Sequence, residues 1–456
     1  MTASSTITES LAARVSGEVL SGDDPRLDDE VPCLNPLFVH SPDAVVLASS
    51  EEDVAATVAF AAENGLPVRV QATGHGASGP ITDGILISTK ALDDIVIDLA
   101  SRSALIGAGA RWEPIVQHAA EHGLAPVTGS STRVGAVGYT LGGGLGPLAR
   151  SHGFTSDWVR EFRVVTADGD IVVANADEHP DLFWALRGGK GGLGIVTRMT
   201  LELQELPTLY AGSLVFDTPH IERALRAWVD WMPTADPRVT TSAAIVSMPP
   251  FDEVPEPLRG RTVMMLRFAY PGDSAEGERL AADVRAFAPA LIDSIAELPC
   301  TSMAMIHNDP EGRLPSKEAG ALLRPVDQRF VDAFLAEVGP ESSSPFMMRE
   351  LRHLGNATAT DVPEGSAVGG RNAAVSLFAI SAMPDLFPMV PAAAESMRSA
   401  LAEWVLPEIA INFSGALTPA EFRTAWPPEV FDRLSEVRRT YDPRGVFAYV
   451  PEPDPV

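Results

Sequence analysis

The stretch VRVQATGHGASG, residues 68–79, combines a short apolar strand with a turn built from small residues. Small side chains in a turn let consecutive backbone N–H groups approach an anion, as in a phosphate-binding nest. His75 lies inside this turn. A single loop histidine usually has no special role, so its meaning depends on the sequence around it.

The flanking residues predict alternating helix and strands. Ser50 before EED (51–53) is typical of a capped helix start, and Asn64-Gly65 is typical of a helix end. Apolar runs at 84–89 and 95–99 predict strands. Farther on, Asp168-Gly169 between two apolar runs predicts a hairpin, and the alternation of GIVTRMTLEL (194–203) predicts a half-buried strand.

The pattern changes near Pro207. From there to about Pro407, apolar runs such as TTSAAIVSM (240–248), TVMMLRFAY (262–270) and AAVSLFAIS (373–381) alternate with helical segments. This predicts a second α+β domain built on an antiparallel sheet. We expect one domain to take residues 1–206 with 407–456, and the second to take residues 207–406.

Composition narrows the function classes. Acidic residues number 61 against 34 lysines and arginines, a net charge of −27, which argues against nucleic-acid or anionic-membrane partners. The two cysteines, Cys33 and Cys300, have no metal-ligand spacing, so we expect no metal site. Few cysteines, no signal-like start and no 18-residue apolar run together lead us to expect a cytoplasmic protein.

Three further stretches carry functional information. VTGSSTRVGAVGYTLGGGLG (127–146) lacks the GxGxxG spacing of a nicotinamide-dinucleotide site. DLFWALRGGKGGLGIVT (181–197) resembles a P-loop only superficially, since neither Ser nor Thr follows Lys190 and a strand follows the glycines. The last stretch is YDPRGVF (441–447). Taken singly, none of them identifies a cofactor.

In order and spacing, the four stretches resemble the berberine-bridge-enzyme-like flavoproteins of the vanillyl-alcohol-oxidase superfamily. The pattern is most similar to bacterial members of the 6-hydroxy-D-nicotine-oxidase type. The resemblance covers about residues 10–205 and 345–450, including ELRHLGNA (350–357) and SAVGGRNAAVSLF (366–378). It implies an α+β fold with a bipartite, PCMH-type FAD-binding domain and a substrate domain.

The resemblance also implies FAD bonded through its 8α-methyl group to His75. Cofactor contacts carried over from the family are Gln71, Ala72, Thr73, Gly74, His75, Gly76, Ser78, Gly129, Ser130, Val134, Gly135, Gly138, Tyr139, Thr140, Gly142, Gly194, Ile195, Val196 and Asn412. Gln71 and Thr73 depart from the family's RSGGH turn, and Lys190 and Gly192 depart from its GGGGNFG. Ser131 stands where some members have a second, cysteinyl bond, so we expect a single attachment.

The chemistry implied is that of an FAD-dependent oxidoreductase. Val134 resembles the oxidases, so we expect hydride transfer from a small amine, alcohol or natural-product substrate to flavin N5, with O2 as electron acceptor. The family's catalytic Tyr-x-Asn is Ala410-Ile411-Asn412 here, which removes the usual base. Glu350, His353 and Arg371 are candidate catalytic residues in its place.

Two alternatives remain at this point. The missing tyrosine is compatible with a flavin-dependent cyclase or tailoring enzyme that performs no net oxidation. A flavin fold can also serve as a non-catalytic binding protein. Peroxide formation with a substrate separates the oxidase from both alternatives.

Overall fold

Three β-sheets follow one another along the chain. The computed structural model describes residues 3–310 and 312–449. The strands of the first sheet are β1 (Glu18–Ser21), β2 (Ala44–Leu47), β3 (Val68–Gln71) and β4 (Ile85–Ser88), in the order β1-β2-β4-β3. β1 is antiparallel to β2, whereas β2 and β3 each run parallel to β4. The strand before the His75 turn therefore lies at an edge of this sheet.

Three helices accompany the first sheet: α1 (Ala3–Ala12), α2 (Leu27–Glu30) and α3 (Glu51–Asn64). The predicted start and end of α3 are confirmed. Ser50 Oγ accepts a hydrogen bond from the backbone N–H of Asp53, and Gly65 ends the helix with φ of 63°. Val54, Val58 and Ala61 turn their side chains into the core of this sheet.

The second sheet is antiparallel. Its strands are β5 (Ile95–Asp98), β6 (Ser103–Gly107), β7 (Leu124–Pro126), β8 (Val159–Val165), β9 (Ile171–Asn175) and β10 (Ile195–Glu205). The order is β5-β6-β10-β8-β9, with β7 paired to β10, and β8 and β9 form the predicted hairpin. Its helices are α4 (Trp112–Ala120), α5 (Ala136–Thr140), α6 (Ala149–His152) and α7 (Pro180–Leu186).

The third sheet is the predicted antiparallel one. Its strands are β11 (Thr208–Asp217), β12 (Thr240–Ser247), β13 (Thr262–Tyr270), β14 (Ile292–Asp293), β15 (Ala296–Pro299), β16 (Lys317–Leu323), β17 (Met348–His353) and β18 (Val375–Ser381). The order is β14-β11-β13-β12-β17-β18-β16, with β15 beside β11. Four helices belong to this region: α8 (Ile221–Trp231), α9 (Ser274–Arg285), α10 (Gln328–Val338) and α11 (Val390–Ala400).

The two faces of the third sheet differ in chemistry. Ala243, Leu266, Leu351 and Leu377 pair across four strands and belong to the largest apolar cluster, together with residues of α8 to α11. Because side chains alternate along a strand, their neighbours point to the opposite face. That face carries polar and charged side chains and looks toward the loops of the second sheet.

The end of the chain returns to the first sheet. After α12 (Pro419–Arg423) and α13 (Pro428–Tyr441), the backbone N–H of Val68 donates to the carbonyl of Val446 at 2.8 Å. Asp442 accepts hydrogen bonds from the N–H groups of Val446 and Phe447, so YDPRGVF fixes the return of the chain. None of the helices in the described ranges is long and apolar enough to cross a membrane.

Candidate active site

The turn after β3 leaves its backbone donors free. Within the described residues, no backbone N–H from Thr73 to Ser78 donates a hydrogen bond to the rest of the chain. Gly74 has φ of +69°, and a Cβ there would lie 1.9 Å from the carbonyl oxygen of Pro32, so a larger residue does not fit. A Cβ on Gly76 would face open space. A row of free N–H groups beside open space is suited to bind phosphate oxygens.

His75 stands in a cleft. Its side chain is exposed, yet the surrounding protein shields it from bulk water. This shielding lowers the pKa of His75; Asp309 opposes the shift, whereas Arg111 and Lys190 add to it. The imidazole is therefore mostly neutral at pH 7, with a nitrogen lone pair free to form a bond.

The side chain of Gln71 points away from the turn. Its Nε2 donates to the carbonyl of Pro32, and its Oε1 lies 2.9 Å from His40 Nε2. Because His40 Nδ1 accepts a hydrogen bond from the N–H of Ile81, the proton of His40 resides on Nε2 and is donated to Gln71. Cys33 Sγ lies 3.1 Å from the same Nε2, and burial raises the pKa of Cys33 to about 11. The cysteine is therefore a neutral thiol, and Gln71 holds the base of the turn.

The second glycine stretch lies against the His75 turn. A Cβ on Gly135 would be 3.2 Å from the methyl group of Thr73, so these two segments are in contact. Gly138 is exposed and faces open space, while Thr140 Oγ1 donates to the carbonyl of Ala136 within α5. Ser130 and Val134 are half-buried in the same segment. The structure thus brings the first two stretches together.

The ring of Tyr139 fills the interior of this segment. A Cβ on Gly129 would lie 2.9 Å from the Tyr139 ring, and Trp112 meets that ring edge-on, with centroids 6.0 Å apart. The Tyr139 hydroxyl is buried and finds no hydrogen-bond acceptor within the described residues. Burial raises the pKa of Tyr139, so it remains a phenol.

Lys190 connects the third stretch to the second. It has φ of +66°, a region that favours glycine, and its Nζ donates to the carbonyl of Gly138 and to Oδ1 of Asn412 at 3.0 and 2.9 Å. Loss of hydration lowers the pKa of Lys190 to about 8. Asn412 in turn donates through Nδ2 to the carbonyl of Tyr139. A lysine where the family has glycine therefore places an ammonium group between the glycine loops and the returning chain.

The other predicted residues of the third stretch are part of a sheet. Ile195 and Val196 pair with Val165 and Val164 in β8, and their side chains are buried in two apolar clusters. A Cβ on Gly194 would lie 2.5 Å from the Val164 side chain. Only the backbone of these three residues is available to a cofactor.

A cavity of about 460 Å³ lies beside Asn412. Its wall includes Gly142, Leu145, Leu354 and Ala410, and its side chains are apolar apart from Asn412 and the indole of Trp426. A Cβ on Gly142 would lie 2.2 Å from Asn412 Oδ1, so the glycine is required for this contact. The side chain of Ala410 places a methyl group, and no hydroxyl group, in this part of the wall.

A charged cluster lies on the polar face of the third sheet. Glu350 Oε1 accepts hydrogen bonds from Ser242 Oγ and Arg267 Nη1, both at 2.8 Å, and Oε2 accepts one from Arg352 Nε at 2.8 Å. Burial alone would raise the pKa of Glu350, but Arg352 and Arg267 outweigh it and hold that pKa well below its usual range. Arg352 also stacks on Phe413, 4.4 Å from its ring centre. Glu350 therefore stays ionised and does not suit the role of a proton acceptor.

Two imidazoles are buried in this region: His307 lies beside Glu350, and His353 lies against Trp228. Burial and Arg150 lower the pKa of His353 to about 3, and burial lowers that of His307 against the opposing effect of Glu350, 3.6 Å away. The Nδ1 atoms of both histidines are buried without a hydrogen-bond partner among the described residues. Both rings are consequently neutral.

Arg371 is committed to ion pairs. It contacts Asp157 Oδ1 at 2.5 Å and Asp361 Oδ1 at 3.0 Å, and its Nη2 donates to Ser366 Oγ. Its guanidinium also lies 4.9 Å from the Phe154 ring centre. These contacts join the segment before β18 to the segment before β8. Of the three catalytic candidates, Glu350 and His353 lie on opposite faces of β17, where the His353 ring meets that of Trp228 edge-on. Arg371 lies in a separate ion-pair group.

Several residues of the site were not predicted from the sequence. Arg267 and Arg352 were not assigned a role, and neither were His307, Ser242 and Lys190. The available signal was a single arginine in the apolar run TVMMLRFAY, because charged residues rarely occur in buried strands without a partner. Which partner it would meet depends on strand order, which the sequence does not reveal.

Comparisons with known proteins agree with this geometry. The family described as FAD binding domain matches residues 42–175. (R)-6-hydroxynicotine oxidase of Paenarthrobacter nicotinovorans is 35% identical over 209 residues, so the match spans 45% of this chain and 46% of that protein. The FAD-linked oxidoreductase YgaK of Bacillus subtilis is 24% identical over 455 residues, 96% of each chain.

Solved structures extend the likeness to nearly the whole chain. 6-Hydroxy-D-nicotine oxidase from Arthrobacter nicotinovorans has a TM-score of 0.82 and 25% identity, covering 95% of this chain and 96% of that one. Glucooligosaccharide oxidase from Acremonium strictum has a TM-score of 0.82 and 21% identity over 97% and 98% of the two chains, and its flavin is a 6-S-cysteinyl, 8α-N1-histidyl FAD. The predicted PCMH-type FAD-binding fold is confirmed.

The residues present fit FAD. The matched region contains both loops with free backbone N–H groups, Thr73–Ser78 and Gly129–Thr132, and dinucleotide phosphates need such donors. Gly76 and Gly138 face open space, so neither loop blocks the approach of a ligand. His75 is exposed within the first of these loops, and Lys190 is near enough to lower its pKa.

Proposed function

We propose that this chain, whose residues 42–175 match the FAD binding domain family, is a member of the vanillyl-alcohol-oxidase superfamily and an oxidase of a small organic molecule. FAD, when bound, accepts a hydride from the substrate and returns two electrons to O2, so that substrate and O2 give oxidised product and H2O2. The observation that carries the proposal is the turn after β3, where free backbone donors flank an exposed histidine whose pKa is lowered by burial.

We propose that residues 1–206 and 407–456 form the FAD-binding domain, and residues 207–406 the substrate domain. The third sheet then covers the substrate on the side away from the glycine loops. The cofactor contacts are those carried over from the family, with Thr73–Ser78 around the pyrophosphate and Asn412 near the ring system.

A single covalent bond from His75 to FAD is part of the same proposal. The lowered pKa of His75 supports it, because a neutral imidazole is the nucleophile that flavinylation needs. Ser131 offers no thiolate, and Cys33 is a buried thiol hydrogen-bonded to His40. Cys300 is also buried, and burial raises its pKa. Two buried, unpaired cysteines also support the proposed cytoplasmic location.

The proposed catalytic group is one of the neutral histidines rather than Glu350 or Arg371. His353 and His307 carry lone pairs and line a second pocket, next to the one beside Asn412. A pKa of about 3 makes His353 a weak proton acceptor. Such a site is suited to substrates that lose a hydride without prior deprotonation. A neutral amine is one example, since its nitrogen lone pair assists the transfer.

A second candidate function is a flavin-dependent cyclisation without net oxidation. It is favoured by Ala410, which provides no hydroxyl in the wall of the cavity. In such a reaction O2 would not be consumed in proportion to product.

Stopped-flow mixing of photoreduced holoenzyme with O2 tests the oxidase proposal without knowledge of the substrate. We expect reoxidation at least tenfold faster than that of free reduced flavin, with H2O2 formed in equal amount. Reoxidation at the rate of free flavin would contradict oxidase function and favour a dehydrogenase or the second candidate.

A further inference from the structure

A buried cluster on the polar face of the third sheet contains two arginines and one carboxylate. Arg267, Ser242 and Arg352 are direct register partners on β13, β12 and β17, so their side chains form one row across three strands. Glu350 lies one alternation away on β17 and is the carboxylate that both arginines contact. Two guanidinium groups thus share one carboxylate.

This group is removed from solvent. The side chains of Arg267, Glu350 and Arg352 are 6%, 1% and 11% exposed. A buried charge without a partner is strongly destabilising, since burial removes its hydration. The cluster therefore has one positive charge for which the described residues provide no counterion, even though the whole chain carries −27.

A third guanidinium, that of Arg150, lies near His353. Arg150 is buried and donates to the carbonyl oxygens of Leu354 and Val239, and no carboxylate of the described residues is within ion-pair distance of it. Burial lowers the pKa of Arg150 to about 10, so it is charged at neutral pH. It adds to the positive field at His353.

A pocket lies beside the charged row. Ser242, Arg267, Arg352, His307 and His353 form part of its wall. The two histidines are more than nine-tenths buried, and their Nδ1 atoms have no hydrogen-bond partner in the described part of the chain. Leu145 and Leu354 border both this cavity and the one beside Asn412, so the two are adjacent.

Resting on the proposed oxidase function, we infer that the substrate carries an anionic group of the carboxylate class, held at Arg267 and Arg352 in this cavity. The anion supplies the missing counterion and receives donors from guanidinium groups, which match a carboxylate in shape. A cationic amine is disfavoured, because the net field is positive and Glu350 already accepts three hydrogen bonds. The same field favours the neutral form of any amino group on the substrate.

Three probes of similar size test the inference on the wild-type holoenzyme: benzoate, benzamide and benzylammonium. Binding is followed by flavin difference absorption and by the shift of the melting temperature. We expect the Kd of benzoate to be at least tenfold below that of benzamide, and benzylammonium to bind more weakly than both. Equal affinities, or tightest binding of benzylammonium, would overturn the inference.

Two variants are expected to change the Kd of benzoate in opposite directions. Arg352→Met should raise the Kd of benzoate at least tenfold and leave that of benzamide within threefold. Glu350→Gln should lower the Kd of benzoate, since it removes the competing carboxylate and releases both arginines. Arg279→Met, on the exposed surface of α9, is the matched control and should change neither Kd.

The outcomes separate this inference from the function on which it rests. Slow reoxidation by O2 together with preferred binding of benzoate would reject the oxidase and keep the anion site. Fast reoxidation with no preference for benzoate would do the reverse. If Arg352→Met does not fold, the ranking of the three probes on the wild-type protein decides. A rise in the benzoate Kd with Glu350→Gln would count against the inference.

Discussion

The glycine loops of the proposed cofactor site and the third sheet, which we propose covers the substrate, differ in the chemical groups they present. Thr73–Ser78 and Gly135–Gly138 present backbone groups and small side chains, with open space beside Gly76 and Gly138. The third sheet instead presents long charged side chains from β13 and β17. Backbone recognition requires small residues at fixed spacing, whereas the charged row requires only that certain strands become neighbours.

This difference explains which features were predictable from the sequence. Each glycine turn is continuous along the chain, so the order and spacing of the turns indicated FAD, the α+β fold and a role for His75. The hairpin at Asp168-Gly169 and the limits of α3 were predictable for the same reason, since turn and cap signals are local.

The charged cluster on the third sheet was not predictable from local sequence signals. Arg267 and Arg352 are 85 positions apart and meet through strand pairing to β12. The strand order places Glu350 in contact with both arginines. Because these contacts keep the carboxylate ionised, Glu350 does not suit the role of a catalytic base. Likewise, Arg371 is adjacent to the family's strand motif in sequence, but its ion pairs with Asp157 and Asp361 were visible only in three dimensions.

The largest effect is expected on the cofactor side. His75→Ala should abolish covalent attachment, because the turn contains no other histidine and no cysteine. Acid precipitation should then release all flavin into the supernatant, whereas the wild-type pellet stays yellow. His122→Ala changes an exposed histidine elsewhere and should behave as the wild type. Flavin retained in the His75→Ala pellet would place the bond elsewhere.

The next largest effect is expected from loss of the ion pairs of Arg371, which join the segment before β18 to the segment before β8. Arg371→Met leaves the buried Asp157 without its main partner, which we expect to lower the free energy of unfolding by about 3 kcal/mol. Chemical denaturation followed by tryptophan fluorescence measures it. Covalent flavin should persist, since His75 is not in this group. A change below about 0.5 kcal/mol would mean that the ion pair is not what joins these segments.

Low pH should reduce the stability that ionised Glu350 contributes to the third sheet. The arginines hold the pKa of Glu350 below its unfolded value near ~4.3, so its stabilisation is complete above that pH and is lost as the pH falls through the folded pKa. Glu350→Gln lacks this contribution. We therefore expect wild type to be the more stable at pH 7, with the difference shrinking below about pH 4. A difference that is constant from about pH 7 to about pH 3 would contradict this assignment.

A smaller effect is expected for Val134, a half-buried residue between the cofactor loops and the core of the second sheet. Val134→Leu should slow reoxidation of photoreduced enzyme by O2 about tenfold, or ~1.4 kcal/mol, because it narrows the path to the flavin. Binding of benzoate, measured in parallel, should be unchanged. Val134→Ala serves as the opposite control and should reoxidise at least as fast as wild type. Equal rates in all three proteins would show that O2 enters by another path.

The proposed bond between His75 and FAD fixes the cofactor to the turn after β3. Proteolysis of the wild-type holoenzyme, followed by mass mapping, measures it directly. We expect one modified peptide, which contains His75 and carries the mass of FAD, with Cys33 and Cys300 unmodified. An unmodified His75 peptide with FAD released, or a flavin bonded to either cysteine, would contradict the assignment of this turn.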